Sequence, residues 1–155
     1  MNSTGNWLVH NHSEQEELLF RCQEAVEVED WESANLAFRE LIMRLKSHIE
    51  LEEEVLYPAY ESRVEAPQQP TESLREEHSK IVQFIRDMNR LFASRNSDSV
   101  LECLARLENL MIKHHEKEED IFLPMAGSVL EAGREELLQK MNDFDASKSN
   151  RKWEI

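Results

Sequence analysis

Apolar side chains recur along this chain at alternating spacings of four and three, the period of one face of an α-helix. Leu8, His12, Gln15, Leu19, Cys22 and Val26 make one such stripe. Ala34, Phe38, Leu41, Leu45, His48, Glu52 and Val55 make a second. A third runs through Leu74, His78, Ile81, Ile85, Met88 and Phe92, and a fourth through Val100, Leu104, Leu107, Met111, His114, Glu118 and Ile121. The breaks between stripes carry stop and start signals. Asp30 is a good N-cap, residues 96–98 supply a turn and cap, and residues 64–71, with Pro67 and Pro70, link the halves. Pro58 marks a kink or an approaching end, and the fourth helix is expected to stop around Pro124. A short fifth helix over residues 134–144, with Leu137, Leu138 and Met141 apolar, is expected to pack outside the others. The fold expected is all-α: an antiparallel up-down-up-down four-helix bundle with a short C-terminal fifth helix. It forms one domain over residues 1–145, and residues 146–155 read as a poorly ordered tail.

The two halves repeat. Leu8-x-x-x-His12 and Leu74-x-x-x-His78 are offset by 74 − 8 = 66 residues, and His48-x-x-x-Glu52-Glu53 and His114-x-x-x-Glu118-Glu119 by 114 − 48 = 66. Pro58 and Pro124 keep the same offset, as do Leu19 and Ile85, Cys22 and Met88, Leu41 and Leu107, and Val55 and Ile121. One helical hairpin has been used twice.

Six polar residues lie on these inward stripes: His12, His48, Glu52, His78, His114 and Glu118. A buried carboxylate costs several kcal/mol unless it is paired or binds a metal. No lysine or arginine occupies a matching inward position, so the compensating charge is expected to be a metal ion. Residues i and i+4 project from one helix face, so each His-x-x-x-Glu pair reaches one site. The repeat assigns His12 and His48 to one ion and His78 and His114 to the other, with Glu52 and Glu118 bridging. An oxide or hydroxide bridge would give each ion a fifth ligand and leave room for an exogenous one. Imidazole with carboxylate suits iron, and zinc or manganese would also fit.

Charge narrows the partners. With 32 acidic against 18 basic residues the formal charge is −14, which repels nucleic-acid backbones and anionic lipid surfaces. No stretch is long and apolar enough to span a membrane, and the N-terminus lacks a secretory pattern. Cys22 and Cys103 form no Cys-x-x-Cys pair and read as small buried hydrophobes. A cytoplasmic protein, monomer or homodimer, is the expectation.

The order His, His-x-x-x-Glu, His, His-x-x-x-Glu, with the runs from His48 to Pro58 and from His114 to Pro124, resembles the hemerythrin-like, or HHE, cation-binding domain. The resemblance spans about Leu8 to Pro124 and implies a non-haem di-iron centre, two iron ions in a four-helix bundle. Oxygen-carrying members have a fifth histidine in a His-x-x-x-His pair on the third helix. Here Leu74 and Val82 flank His78 at those spacings, so reversible oxygen carriage is not expected. The resemblance implies instead binding or sensing of oxygen, peroxide, nitric oxide or iron. An enzyme decomposing hydrogen peroxide or oxidising iron, and a bundle merely stapled by metal, are the alternatives.

Outside the six, His10 and His115 are each displaced from the inward stripe, and exposure is the expectation for His10. Glu53 and Glu119 sit one residue off it and read as surface carboxylates or as hydrogen-bond partners of the histidines. Gln15 is a candidate partner for a first-ion ligand. Tyr57 is placed near the end of the site, where the other half has Leu123.

Overall fold

The computed structural model describes residues 3–65 and 68–144. Helix α1 (Ser3–Glu27) turns into α2 (Trp31–Leu51), which continues without interruption through a π-helical turn, Glu52–Leu56, into α3 (Tyr57–Glu61). The second half repeats the plan with α4 (Gln68–Phe92), α5 (Ser97–Lys117), a π turn at Glu118–Phe122 and α6 (Leu123–Glu131), followed by α7 (Arg134–Asp143). The π turns obey the repeat, since 118 − 52 = 66. No strand occurs among the described residues, and no described helix is long and apolar enough to cross a membrane.

Helix α1 packs on α2, α4 on α5, α1 on α5 and α2 on α4, closing an antiparallel ring of four rods. The expected caps are in place. Asp30 accepts from Ser33 N and Asn96 from Ser99 N, each at 3.1 Å, answering backbone donors that the first helical turn leaves free. Asn96→Ala is expected to destabilise the protein by about 1 kcal/mol, read from urea unfolding.

Two boundaries differ from expectation. Helix α4 begins at Gln68, so Pro70 and Thr71 belong to its first turns, where a missing N–H is harmless. The last long rod does not stop at Pro124 but runs on through α6 to Glu131. Each π turn widens the helix just before its proline, where the ladder passes from an i−4 to an i−5 bond: Tyr57 N–H reaches Glu52 O and Leu123 N–H reaches Glu118 O. That opening accommodates the ring of Pro58 or Pro124. The extra residue also turns the inward face by one position. Leu56 and Phe122 are fully buried, whereas Val55 is only partly buried and Ile121 is half exposed.

Two apolar clusters result. One, around Leu19, Phe38, Ile85, Met88 and Leu104, fills the end where both hairpins turn. The other, around Leu8, Leu56, Tyr57, Leu74 and Phe122, fills the opposite end, and Leu137 and Met141 of α7 close it. Helix α7 therefore seals the bundle rather than only decorating its outside. It is set at its angle by Gly133, whose φ of 82° suits glycine and where a Cβ would lie 2.9 Å from Arg63. The expected tail, 146–155, lies outside the described residues.

Candidate metal centre

Every rod passes from one apolar cluster to the other through a polar layer. On α1 it falls between Leu8 and Leu18, on α2 between Leu45 and Leu51, on α4 between Leu74 and Ile81, and beyond Met111 on the α5 rod. All six residues expected on the inward stripes lie in this layer, none more than 3% exposed. The structure brings them into two groups, His12, His48, Glu52 and Glu118, and Glu52, His78, His114 and Glu118. Within each group one donor atom per residue lies within 4.8 Å of the others. Both carboxylates belong to both groups.

The imidazole Nε2 atoms converge on two carboxylate oxygens. Glu118 Oε1 is 3.0 Å from His12 Nε2 and 3.2 Å from His114 Nε2. Glu52 Oε1 is 3.1 Å from His78 Nε2 and 3.3 Å from His48 Nε2. Around this ring sit three carboxylates that bind the far side of the rings. Glu119 lies 2.7 Å from His12 Nδ1, Glu53 2.6 Å from His78 Nδ1 and Glu77 2.8 Å from His114 Nδ1. Glu119 and Glu53 are repeat partners, and both hold histidines rather than standing free on the surface. A carboxylate accepts, so each of these Nδ1 atoms carries a hydrogen, and Nε2 is the ring nitrogen that faces inward.

That geometry tests the fit of a cation. His78 Nε2 and His114 Nε2 lie 3.0 Å apart, and both face carboxylate oxygens. Both ring nitrogens of His48 and both oxygens of Glu52 are buried without a hydrogen-bond partner. Orphaned buried polar atoms on this scale are costly, and a cation between them satisfies His48 Nε2 and the Glu52 oxygens together. The donor set, imidazole and carboxylate backed by outer carboxylates, is the one metal sites use.

Electrostatics agree. Burial, and then the neighbouring Glu118, push Glu52 well above the usual carboxylate range. Burial also acts to raise Glu118, but His114 outweighs it and holds Glu118 well below that range. Burial pulls His114 down, and Glu118 and Glu77 more than reverse this, to about 9. Burial and the other imidazoles push His48 well down. The two inner carboxylates thus compete for positive charge at one spot, which a metal ion supplies.

Two participants lie outside the six residues of the inward stripes. Tyr57 is fully buried, donates its hydroxyl to Glu118 Oε2 at 2.6 Å and stacks on His78 with centroids 5.7 Å apart. Its inward orientation follows from the π turn, which a regular period does not anticipate. Burial and Glu118 push its pKa well above the usual phenol value, so it stays a donor. Tyr57→Phe keeps the stack but removes the bond to a charged acceptor. A loss of roughly 1.5–3 kcal/mol is expected in urea unfolding of the metal-free protein.

His115 is the second. It is buried, stacked on His12 with centroids 3.8 Å apart and bonded to Glu16 at 2.6 Å. Burial, with His12 and His114 beside it, lowers it to about 2. It points sideways at α1 instead of at the bundle axis, which is why stripe reasoning left it out. Gln15 pairs with His115 and not with an inner histidine. His10 is exposed, as expected. Cys22 is buried, and burial raises its thiol to about 12, whereas Cys103 is partly buried.

Fold and site together define a metal-binding helical bundle, in which helices from two repeated hairpins converge on a buried histidine–carboxylate layer. The family model of the hemerythrin HHE cation-binding domain matches residues 4–126, and the chain belongs to that family. No curated protein and no solved structure gives a match.

Proposed function

We propose that the layer holds two iron ions, one on His12 and His48 and one on His78 and His114, with Glu52 and Glu118 shared between them. The protein would use this centre to bind or sense oxygen, a related small ligand such as nitric oxide, or iron itself. The observation that carries the reading is the pair of four-residue groups that share both carboxylates. Iron held there supplies a change of oxidation state and an open position for a small ligand. The chain's own residues do the rest. Glu119, Glu53 and Glu77 fix the tautomer and orientation of His12, His78 and His114, and Tyr57 fixes Glu118. The apolar clusters on either side keep large molecules out, so a ligand must be small.

A second reading, an enzyme that decomposes hydrogen peroxide, draws on the buried hydroxyl of Tyr57, a proton donor bonded to an inner carboxylate. Excess hydrogen peroxide added to iron-loaded protein separates the two. A binding or sensing protein is expected to consume peroxide only in proportion to its iron. Sustained release of oxygen over many equivalents would replace that reading with the enzymatic one.

A further inference from the structure

The inner ring of histidines and carboxylates follows the 66-residue repeat, but its surroundings do not. Beside His78 the next inward position is Ile81, and beside His12 it is Gln15; both are 1% exposed. Gln15 Oε1 lies 3.2 Å from His115 Nε2. The ring of His115 lies nearly flat against His12, 9° between planes, so an amide bonded to its edge stays close to the His12 ring.

Hydrogen counting leaves a donor over. Glu16 can only accept, so His115 Nδ1 carries a hydrogen. A neutral His115 then has a bare Nε2, and the amide, turned over, gives it one hydrogen and keeps the other. The Gln15 amide is buried, and apart from His115 it has no hydrogen-bond partner. An unmade buried donor is destabilising, and Ile81 demonstrates that the bundle packs an apolar side chain at the matching place.

We infer that Gln15 is a ligand-binding residue: its spare N–H donates to the acceptor atom of a small ligand held at the His12/His48 half. The two halves then differ in function, because Ile81 offers no such donor to the His78/His114 half. The ligands concerned are small anions and diatomic molecules with a terminal lone pair. The inference rests on the pair of ions proposed above.

Azide is a suitable probe. Iron-loaded wild type, Gln15→Leu and Gln15→Met are titrated with azide by absorption, and iron is measured on the same samples. Methionine keeps the length of glutamine should leucine impair folding. The expected result is unchanged iron content, an azide dissociation constant raised roughly tenfold, the worth of one buried hydrogen bond, and a higher melting temperature for the metal-free variants. A constant within about twofold of wild type at unchanged iron, as a packing role requires, overturns the inference and leaves the two-ion reading intact. Iron lost from both variants also overturns it, by making Gln15 a support of the centre. Wild type that takes up no iron overturns both.

Discussion

Glu118→Gln is expected to strip the centre of metal while leaving the bundle folded. Glutamine has the shape of glutamate and still offers an oxygen to the Tyr57 hydroxyl, so the buried hydrogen bond survives. What it loses is the negative charge and the capacity to serve two ions at once. Glu118 contributes to both four-residue groups, so both ions lose a ligand in one substitution. Removing a group that merely supports a metal ligand already costs about 10–100-fold in affinity, and a shared ligand is expected to cost more than about 100-fold. Metal analysis after gel filtration should find less than about one ion per chain, against about two for wild type, with an unchanged far-ultraviolet circular dichroism spectrum. Glu116→Gln, an exposed neighbour, should bind metal as wild type does. Full metal retention in Glu118→Gln would remove that carboxylate from the centre.

Chelating the metal is expected to lower the melting temperature steeply without unfolding the protein at room temperature. A ligand that binds only the folded state, at a thousand times its dissociation constant, stabilises by about 4 kcal/mol. For a chain of this length each kcal/mol shifts the midpoint by about 2–4 °C, which gives a loss of roughly 8–16 °C. Much of that effect reflects groups that burial leaves ill-matched. Glu52 retains two buried oxygens, and His48 two buried nitrogens, without hydrogen bonds. The two apolar clusters do not depend on the ion and should keep the helices together. Differential scanning calorimetry with and without chelator measures the shift. A shift under about 2 °C would mean that the inner ring satisfies itself with protons alone.

The sequence made the inner ring legible because burial and period act on the same residues. A histidine or glutamate on a four-and-three stripe has to face the core, and the 66-residue offset links His12 to His78 and Glu52 to Glu118 without any coordinates. The shell around that ring was less legible. Glu53 and Glu119 reach across to histidines of other helices, a relation that follows from how the rods cross rather than from spacing within one rod. Glu77 is adjacent to His78 in sequence but serves His114. His115 is buried because α5 lies against α1, so its environment belongs to a helix pair and not to one stripe. The π turns were hidden for a related reason. A fixed period of 3.6 residues places Val55 and Ile121 inward, and one extra residue per turn moves Leu56, Tyr57 and Phe122 there instead. The continuation past Pro124 has the same origin, since proline ends a regular helix but is tolerated where the ladder has already opened.

The same asymmetry of surroundings distinguishes the two halves of the centre. His114 has Glu77 behind it, while the matching histidine, His48, has no hydrogen-bond partner on Nδ1 and stacks instead on Trp7, with centroids 4.9 Å apart. A carboxylate behind an imidazole makes it a stronger ligand. In the proposed two-ion centre the His78/His114 half would hold its ion more firmly, and the His12/His48 half would have the looser ligand and the spare donor of Gln15. The repeat gives both halves the same ring, while Trp7, Gln15, Tyr57 and His115 stand at the 66-residue offset from Ser73, Ile81, Leu123 and Ile49, which makes the halves unequal.

The measurement that tests the central claim most directly is metal content together with the optical absorption spectrum. The protein is produced with ample iron and purified without chelator. The account predicts about two irons per chain and near-ultraviolet absorption from a bridged ferric pair, both lost in Glu118→Gln. A folded bundle that holds no iron, even after anaerobic reconstitution, would contradict it.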